Sequence, residues 1–370
     1  MRITWAGTFE PEFNRNMKIA RLLERVGVEV SVTRVSVWGD SRVDLASTGK
    51  ARALVRIVAA VPRLLWQLLW SPRPDAYLVS YPGWFDVPVV WVASRFKRAP
   101  IVFDPFISLF DTMILDRAMY TPSSWVGRLV RLVDRLALRL ADIVIADTSE
   151  HLKYYDTLVP GVSDRGGVIP VGADDTVFRP VDEVTEGRTV LFYGTFVPLQ
   201  GAATVVEAAH RLNSDDVKFL LVGDGQDRPA VERLMIELGV TNVELVGPVP
   251  LETLPAVISG ATICLGIFGD SDKAARVVPN KVYECVAMGM PVITRSSPAI
   301  DSAFAESDLI RVPARDPKAL ADAIRSLLAD SNRRESIGAA GRLRYEERFC
   351  EVVIAETLEA VLTKAIRQET

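Results

Sequence analysis

RTVLFYGTFVPLQGAATVVEAAHRLNSDDVKFLLVGDG, residues 188–225, is the stretch on which the fold turns. RTVLFYG is an apolar run closed by glycine, and VKFLLVGDG is a second. Between them GAATVVEAAHRL spaces its apolar residues at helical intervals. A strand buried on both faces reads as an unbroken apolar run rather than as an alternation. Two such runs joined through a helix read as parallel neighbours, because parallel strands need a crossover of this length. The segment is therefore a strand–helix–strand unit of a parallel sheet.

The unit repeats in both directions. Downstream come the helix DRPAVERLMIELG, the strand VELVG, a helix around LETLPAVISG, the strand ATICLGIF, the segment RVVPNKVYECVAMGMPVI (276–293) and a helical tail from about 316. Upstream, MRITWAGTF is a strand running into a glycine turn, NMKIARLLERVG a helix ending at Gly27, and VEVSVTRV the next strand. DAYLVSY (75–81), APIVFD (99–104), ADIVIAD (141–147) and the short GVIPVG (167–172) read as further strands. The polar stretch ADDTVFRPVDEVTEG (173–187), with Pro180, reads as a linker. The expected architecture is α/β, with two Rossmann-like doubly wound domains, 1–180 and 181–351, facing across a cleft. The C-terminal helix, 352–370, is expected to pack back on the first domain. Ligands of such sheets sit beyond the carboxyl ends of the strands, which places the expected site in that cleft.

Composition bounds the function. Of 370 residues, 49% are apolar and 24% charged, a globular balance. The net charge is −4, with 23 Lys+Arg against 19 Asp+Glu in residues 1–180 and 20 against 28 beyond. So mild a basic excess excludes nucleic acid as the partner; it fits either an anionic ligand or membrane surface, or merely solvated faces. Cys264, Cys285 and Cys350 are scattered, with no CxxC spacing, which argues for a reducing compartment and against a zinc site or disulfide framework. MRITWAGTFEP offers no signal-peptide core, and no uncharged apolar run reaches the roughly 18 residues a bilayer span needs. The expectation is a cytoplasmic protein, at most peripheral at the inner face of a membrane.

Chemistry concentrates in 276–293. Pro279 suits the first turn of a helix, where its missing N–H costs nothing. The unpaired amides of that turn, 280–282, attract an anion such as a nucleotide diphosphate. Glu284, one turn on, can accept hydrogen bonds from vicinal hydroxyls, as on a ribose. Gly289 then ends the helix and turns the chain into PVIT. The alternative is that Glu284 is an ordinary surface residue of an αβ connection.

VLFYGTFVPLQG, FLLVGDGQ, VELVGPVP and PNKVYECVAMGMPVI, in this order and spacing, resemble the family 4 glycosyltransferases, which have the GT-B fold. The resemblance covers nearly the whole chain and implies transfer of a hexosyl group, with retention, from a nucleotide sugar (UDP- or GDP-linked) to a saccharide or lipid-linked saccharide. No metal and no cofactor beyond the nucleotide-sugar substrate is implied. Gly194 and Thr195 would form the phosphate-site loop, Gly247 the nucleobase side, Lys281 and Glu284 the donor helix, and Gly7 with Thr8 a loop near the donor phosphates. Gly7 equally suits a plain turn. Arg15 and Asn16 would support that loop or bind anion. Asp104 falls where the family commonly has a His or Asp facing the reacting sugar, and Asp111 lies seven positions on; a helix N-cap role competes for both.

The chain departs from the pattern. The family usually has two glutamates eight positions apart, but Arg276 stands at the partner position of Glu284, which suggests a subgroup. The family's usual Arg after the loop glycine is Thr195, and its usual Lys before the next glycine is Gln200. Arg276 and Lys281 would supply the missing cations, unless both are solvent-facing. Two other readings stay open: a nucleotide-sugar 2-epimerase, and a non-catalytic nucleotide-sugar-binding partner subunit. His151 and His210 read as structural or exposed. Asp270-Ser271-Asp272 has the shape of a metal-binding DxD, a triplet common by chance. ARALVRIVAAVPRLLWQLLW, with Arg52, Arg56 and Arg63 and interrupted by Pro62, and VGRLVRLVDRLALRL, with Arg128, Arg135 and Arg139, are basic amphipathic stretches. They fit core packing on a sheet, favoured here, or weak contact with an anionic membrane.

Overall fold

The computed structural model describes residues 1–37, 50–116, 119–180 and 187–367. The chain forms two compact units, one of Met1–Pro170 with the chain from Ile354 onward, the other of Val171–Val353. The units thus divide at Pro170, upstream of the boundary expected at 180. Residues 181–186 of the expected linker lie outside the described residues.

The first unit is a sheet of six parallel strands: β1 (Arg2–Gly7), β2 (Glu29–Arg34), β3 (Ala76–Ser80), β4 (Ile101–Asp104), β5 (Ile143–Ala146) and β6 (Gly166–Val168), in the order β2-β1-β3-β4-β5-β6. Alternate residues of the central strands serve opposite faces. Ile3, Leu78, Val102 and Ile145 pack under α1 (Asn14–Arg25) and the last helix of the chain, Glu351–Arg367. Tyr77, Val79, Phe103 and Val144 pack under α2 (Lys50–Trp70), α3 (Val87–Lys97), α4 (Trp125–Leu140) and α5 (Ser149–Leu158). Both faces being covered is why these strands read as unbroken apolar runs. Pro62 removes one backbone donor yet does not interrupt α2, whose Leu64 and Leu68 remain anchored in the core beyond it. The helix α3 escaped the sequence reading because VPVVWVASRFK shows little amphipathic contrast.

The second unit repeats the plan with β7 (Thr189–Thr195), β8 (Lys218–Asp224), β9 (Val243–Val246), β10 (Ile263–Leu265), β11 (Val292–Arg295) and β12 (Ile310–Val312), ordered β12-β11-β10-β7-β8-β9 and parallel. Its helices are α6 (Ala202–Arg211), α7 (Arg228–Glu237), α8 (Leu254–Ser259), α9 (Asp272–Arg276), α10 (Asn280–Ala287), α11 (Pro298–Ala303), α12 (Pro317–Ala329) and α13 (Ser331–Arg348). The final helix, α14, begins at Glu351. The strand order reverses between β1 and β3 in one sheet and between β7 and β10 in the other. At such a reversal the flanking connections leave toward opposite faces and open a crevice at the carboxyl ends of the strands.

Candidate donor site

The reversal point of the second unit is lined by the ends of β7 and β10 and by α10. Glycines let these segments approach backbone to backbone. Gly194 and Gly223 are register partners at the ends of β7 and β8, and a Cβ on Gly223 would stand 1.9 Å from the Gly194 carbonyl oxygen. Gly201 has φ 64°, and a Cβ there would meet Gly269 N at 2.5 Å. The loops after β7 and β10 are then tied by Phe268 N–H to Gln200 C=O (3.0 Å) and Gly269 N–H to Leu199 C=O (3.2 Å).

Onto this frame α10 delivers Lys281 and Glu284. Lys281 is buried; its Nζ donates to Gln200 Oε1 (3.1 Å) and lies 3.9 Å from the centroid of the Phe192 ring. Burial pulls the Lys281 ammonium down to about 7, although nearby Cys285 and Glu284 act in the opposite direction. Gln200 Nε2 reaches Thr195 Oγ1 at 3.5 Å. The two positions that lack the family's usual cations are therefore linked to each other, and Gln200 touches a lysine arriving from the other side. Tyr193 donates its hydroxyl to Glu284 Oε2 at 2.6 Å, which holds the half-buried carboxylate in one orientation. The Tyr193 hydroxyl is pushed well above its ordinary value, first by burial and then by Cys285 and Glu284.

Three details of the helix start differ from expectation. Pro279 precedes the helix with φ −70° and ψ 149°, and Asn280 is the first helical residue. Val282 N–H donates to Pro279 C=O (2.9 Å), which removes it from the amides expected to face an anion. Arg276, half-buried, ends the short helix α9, three residues before Pro279. At the other end Gly289 (φ 77°) closes α10, its N–H donating to Val286 C=O at 3.0 Å. Gly247 follows the edge strand β9, two strands away from β7, with open space at its Cα.

The first unit builds its own cluster at the β1/β3 reversal. Asp86, at the entry to α3, accepts from Thr8 N–H (2.7 Å) and Thr8 Oγ1 (3.0 Å). Gly7 has φ 136°, and a Cβ there would stand 2.6 Å from Asp86 Oδ2, so this turn needs a glycine. Burial pushes the Asp86 carboxyl up to about 6, against the Thr8 hydrogen bonds. Asn16 ties the following loop to the end of β3, donating to Glu10 C=O (2.7 Å) and Tyr81 C=O (2.8 Å). Asp104 is fully buried. One oxygen pairs with Arg15 Nε at 2.8 Å and the other accepts from Phe106 N–H at 3.2 Å. Burial raises the Asp104 carboxyl, which Arg15 opposes. Arg15 also donates to Ile169 C=O (3.0 Å), so it is a buried anchor across the carboxyl edge of the sheet rather than an open anion site. Asp104 shares that role here. Asp111 is buried in a π-helical turn, Asp111–Asp116, which rules out the N-cap of a long helix.

The remaining candidates sit elsewhere. His151 is buried, its Nδ1 against Asp147 Oδ1 and its ring stacked on Tyr155, whereas His210 is exposed on α6. Asp270 pairs with Arg315 (3.1 Å), and Ser271 caps α9 through Ala274 N–H (3.2 Å). Among the described residues no group of three His, Cys, Asp or Glu is arranged to hold a metal ion. Phe192, Tyr193 and Asp86 were missed by sequence reasoning. The first two look like ordinary strand residues; Asp86 carries a faint signal, an acid directly before the Val-Pro start of a helix.

Residues 15–172 match the family model described as "Glycosyl transferase 4-like domain", and residues 187–330 match the one described as "Glycosyl transferases group 1". Together these two glycosyltransferase models account for most of the chain. Among its relatives, alpha-maltose-1-phosphate synthase of Mycolicibacterium smegmatis is 29% identical over 65% of this chain and 66% of its own length. D-inositol 3-phosphate glycosyltransferase of Nocardia farcinica is 28% identical over 54% of this chain and 47% of its own. The chain thus spans about half to two thirds of the length of those relatives. HepE of Anabaena, solved in complex with UDP, shares the fold with a TM-score of 0.73 over 98% of this chain and 100% of its own, at 14% identity.

Proposed function

We propose that this glycosyltransferase transfers a hexosyl group, with retention, from a UDP- or GDP-sugar to a saccharide or lipid-linked saccharide, without a required metal. The observation that carries the reading is the pairing of Tyr193–Glu284 with Gln200–Lys281 at the β7/β10 reversal. Glu284, oriented by Tyr193, would receive the ribose hydroxyls. Lys281, with Arg276, would neutralise the departing diphosphate in place of the cations missing at Thr195 and Gln200, which defines the Arg-for-Glu subgroup. A lysine near pH 7 in a buried site gains its proton most readily when an anion arrives, so the charge is present when the leaving group needs it. The N–H groups of Asn280 and Lys281 at the start of α10 add to that field. Gly194 and Thr195 would flank the phosphates and Gly247 the base; Gly7 and Thr8 are assigned to a donor-phosphate loop by the family resemblance alone. Asp104 is assigned to positioning the turn after β4 through Arg15, not to the chemistry.

The names of the relatives, synthases and transferases, favour transfer over epimerisation or simple binding, and the UDP bound to the Anabaena neighbour motivates testing uridine donors first. The test is turnover of UDP- and GDP-hexoses with mono- and disaccharide acceptors, with and without EDTA, and the product's anomeric configuration read by NMR. Retained configuration with unchanged rate in EDTA supports the reading; inversion, or loss of activity in EDTA, overturns the corresponding part. Epimer formation without acceptor would replace it.

A further inference from the structure

The helical layer α2–α3–α4 of the first unit has a second apolar face that no part of the described chain covers. In α4, Ala137 and Leu138 are buried against the sheet. Trp125, Leu129, Leu132 and Leu136 form another stripe, spaced by four, three and four residues, that is exposed; Trp125 is 76% and Leu132 61% accessible. Helical spacing of this kind places all four on one line. In α2 the inward residues are Leu64 and Leu68, while Trp66 and Trp70, one turn apart with ring centroids at 5.3 Å, are 65% and 72% exposed. Between these helices α3 packs against both and presents Phe96, 76% exposed.

The charge on this layer is one-sided. The sequences of α2, α3 and α4 hold four, two and four Lys/Arg and a single acid, Asp134. Asp134 is buried, accepting from Ser108 Oγ (2.6 Å) and Phe110 N–H (2.9 Å). Arg56 and Arg63 precede the tryptophans on the outer side of α2, and Arg128, Arg135 and Arg139, all exposed, border the leucine stripe of α4. Arg95 is engaged with Asp142 (3.4 Å). Exposed apolar side chains on neighbouring helices, bordered by charge, mark an interaction surface.

We propose that the outer face of α2–α3–α4 docks on an anionic lipid bilayer, with the tryptophans and leucines at the headgroup–acyl boundary and the arginines on lipid phosphates. Aromatic residues flanked by Arg are the side chains that settle at that boundary. A second copy of the chain fits poorly: pairing through the same face would set arginines against arginines, with no exposed carboxylate on these helices to offset them. Among the described residues no helix is long and apolar enough to cross a membrane, so contact is by docking on the surface. The surface is remote in sequence from the donor-site residues of β7 and α10, and its test uses nucleotide-free protein, so it stands or falls apart from the catalytic reading.

The experiment is co-sedimentation of the full chain with vesicles of equimolar phosphatidylglycerol and phosphatidylcholine, against pure phosphatidylcholine. Wild type should partition to the anionic vesicles at least about tenfold better. Arg63→Gln/Arg128→Gln/Arg135→Gln should weaken that partition about a hundredfold, at about one kcal/mol per arginine. Trp66→Ser/Trp70→Ser and Leu129→Gln/Leu132→Gln should detach the protein at raised salt, with Ile236→Gln on α7 as the exposed control and circular dichroism to verify folding. Equal partition to both vesicles, or variants that bind like wild type, overturns the proposal. So does a wild-type dimer in sedimentation equilibrium that Leu129→Gln/Leu132→Gln dissociates, because that result assigns the face to a second copy.

Discussion

Nucleotide-sugar binding should weaken with rising pH far below the ordinary lysine range. Lys281 is buried on the Phe192 ring with a pKa near 7 when no anion is present, and a bound diphosphate requires it charged. Above that pKa binding must first return a proton to the amine, so affinity falls by up to a factor of ten per pH unit. With a free value of about 7 and a protonated complex throughout, going from about pH 6.5 to about pH 8.5 costs about 25-fold in affinity, or about 1.9 kcal/mol. A sugar diphosphate is a diester whose phosphates do not titrate in this window, so UDP- or GDP-sugars are the right probes. Isothermal titration in two buffers of different ionisation enthalpy should show uptake of about 0.9 proton at about pH 8. Lys281→Met should bind weakly at every pH, with no proton uptake. An affinity independent of pH in the wild type, with no proton exchanged, would refute the assignment of Lys281 to the diphosphate.

Other outcomes follow from the same geometry. Gly201→Ala should destabilise the second unit by about 2 kcal/mol or more in chemical denaturation, because φ 64° is strained for alanine and the clash is with the backbone of Gly269. Gly194→Ala combines φ 147°, which alanine rarely adopts, with a clash on the Gln200 amide, so both stability in chemical denaturation and donor affinity by titration should fall. Asp86 has its folded pKa raised from 3.8 to about 6, so its contribution is full below about pH 4 and lost as pH rises through about 6. Asp86→Asn should therefore gain on wild type by up to about 3 kcal/mol between those limits, measured by denaturation across pH. A constant difference across that range would show that Asp86 does not titrate there. Arg15→Ala should cost about 3–5 kcal/mol by stranding the buried Asp104 carboxyl, read by urea denaturation. A stable Arg15→Ala with lost turnover would instead return Asp104 and Arg15 to the chemistry.

Much of the fold was legible because parallel strands covered on both faces leave long apolar runs with glycine stops, as in VLFYG and FLLVGDG. What escaped were elements whose local signal is weak: α3, apolar nearly all round, and the three-residue strand β12, too short to carry a period. Pro62 misled, because the packing of Leu64 and Leu68 outweighs one missing backbone bond. In the candidate site, Glu284, Lys281 and Gly194 were named through the resemblance of their motifs to the family 4 glycosyltransferases and through the chemistry of a helix start. Tyr193 and Phe192 were not, since a strand residue that orients a carboxylate looks like any core aromatic. Asp104 read as a candidate for the reacting carbon through the family resemblance; its pairing with Arg15 across 89 positions was not legible in the sequence.

The central claim is that Glu284 on α10 receives the nucleotide of a sugar donor, and thermal unfolding with a panel of UDP-, GDP-, dTDP- and ADP-sugars tests it most directly. For the wild type, one nucleotide class at 100 times its Kd should add about 2.7 kcal/mol, a rise of roughly 5–10 °C in Tm. Glu284→Ala should lose that rise, with circular dichroism verifying that the ligand-free protein stays folded, because the carboxylate also accepts from the buried Tyr193 hydroxyl. A wild type that no sugar nucleotide shifts, or a Glu284→Ala protein that the same ligand shifts equally, would contradict it.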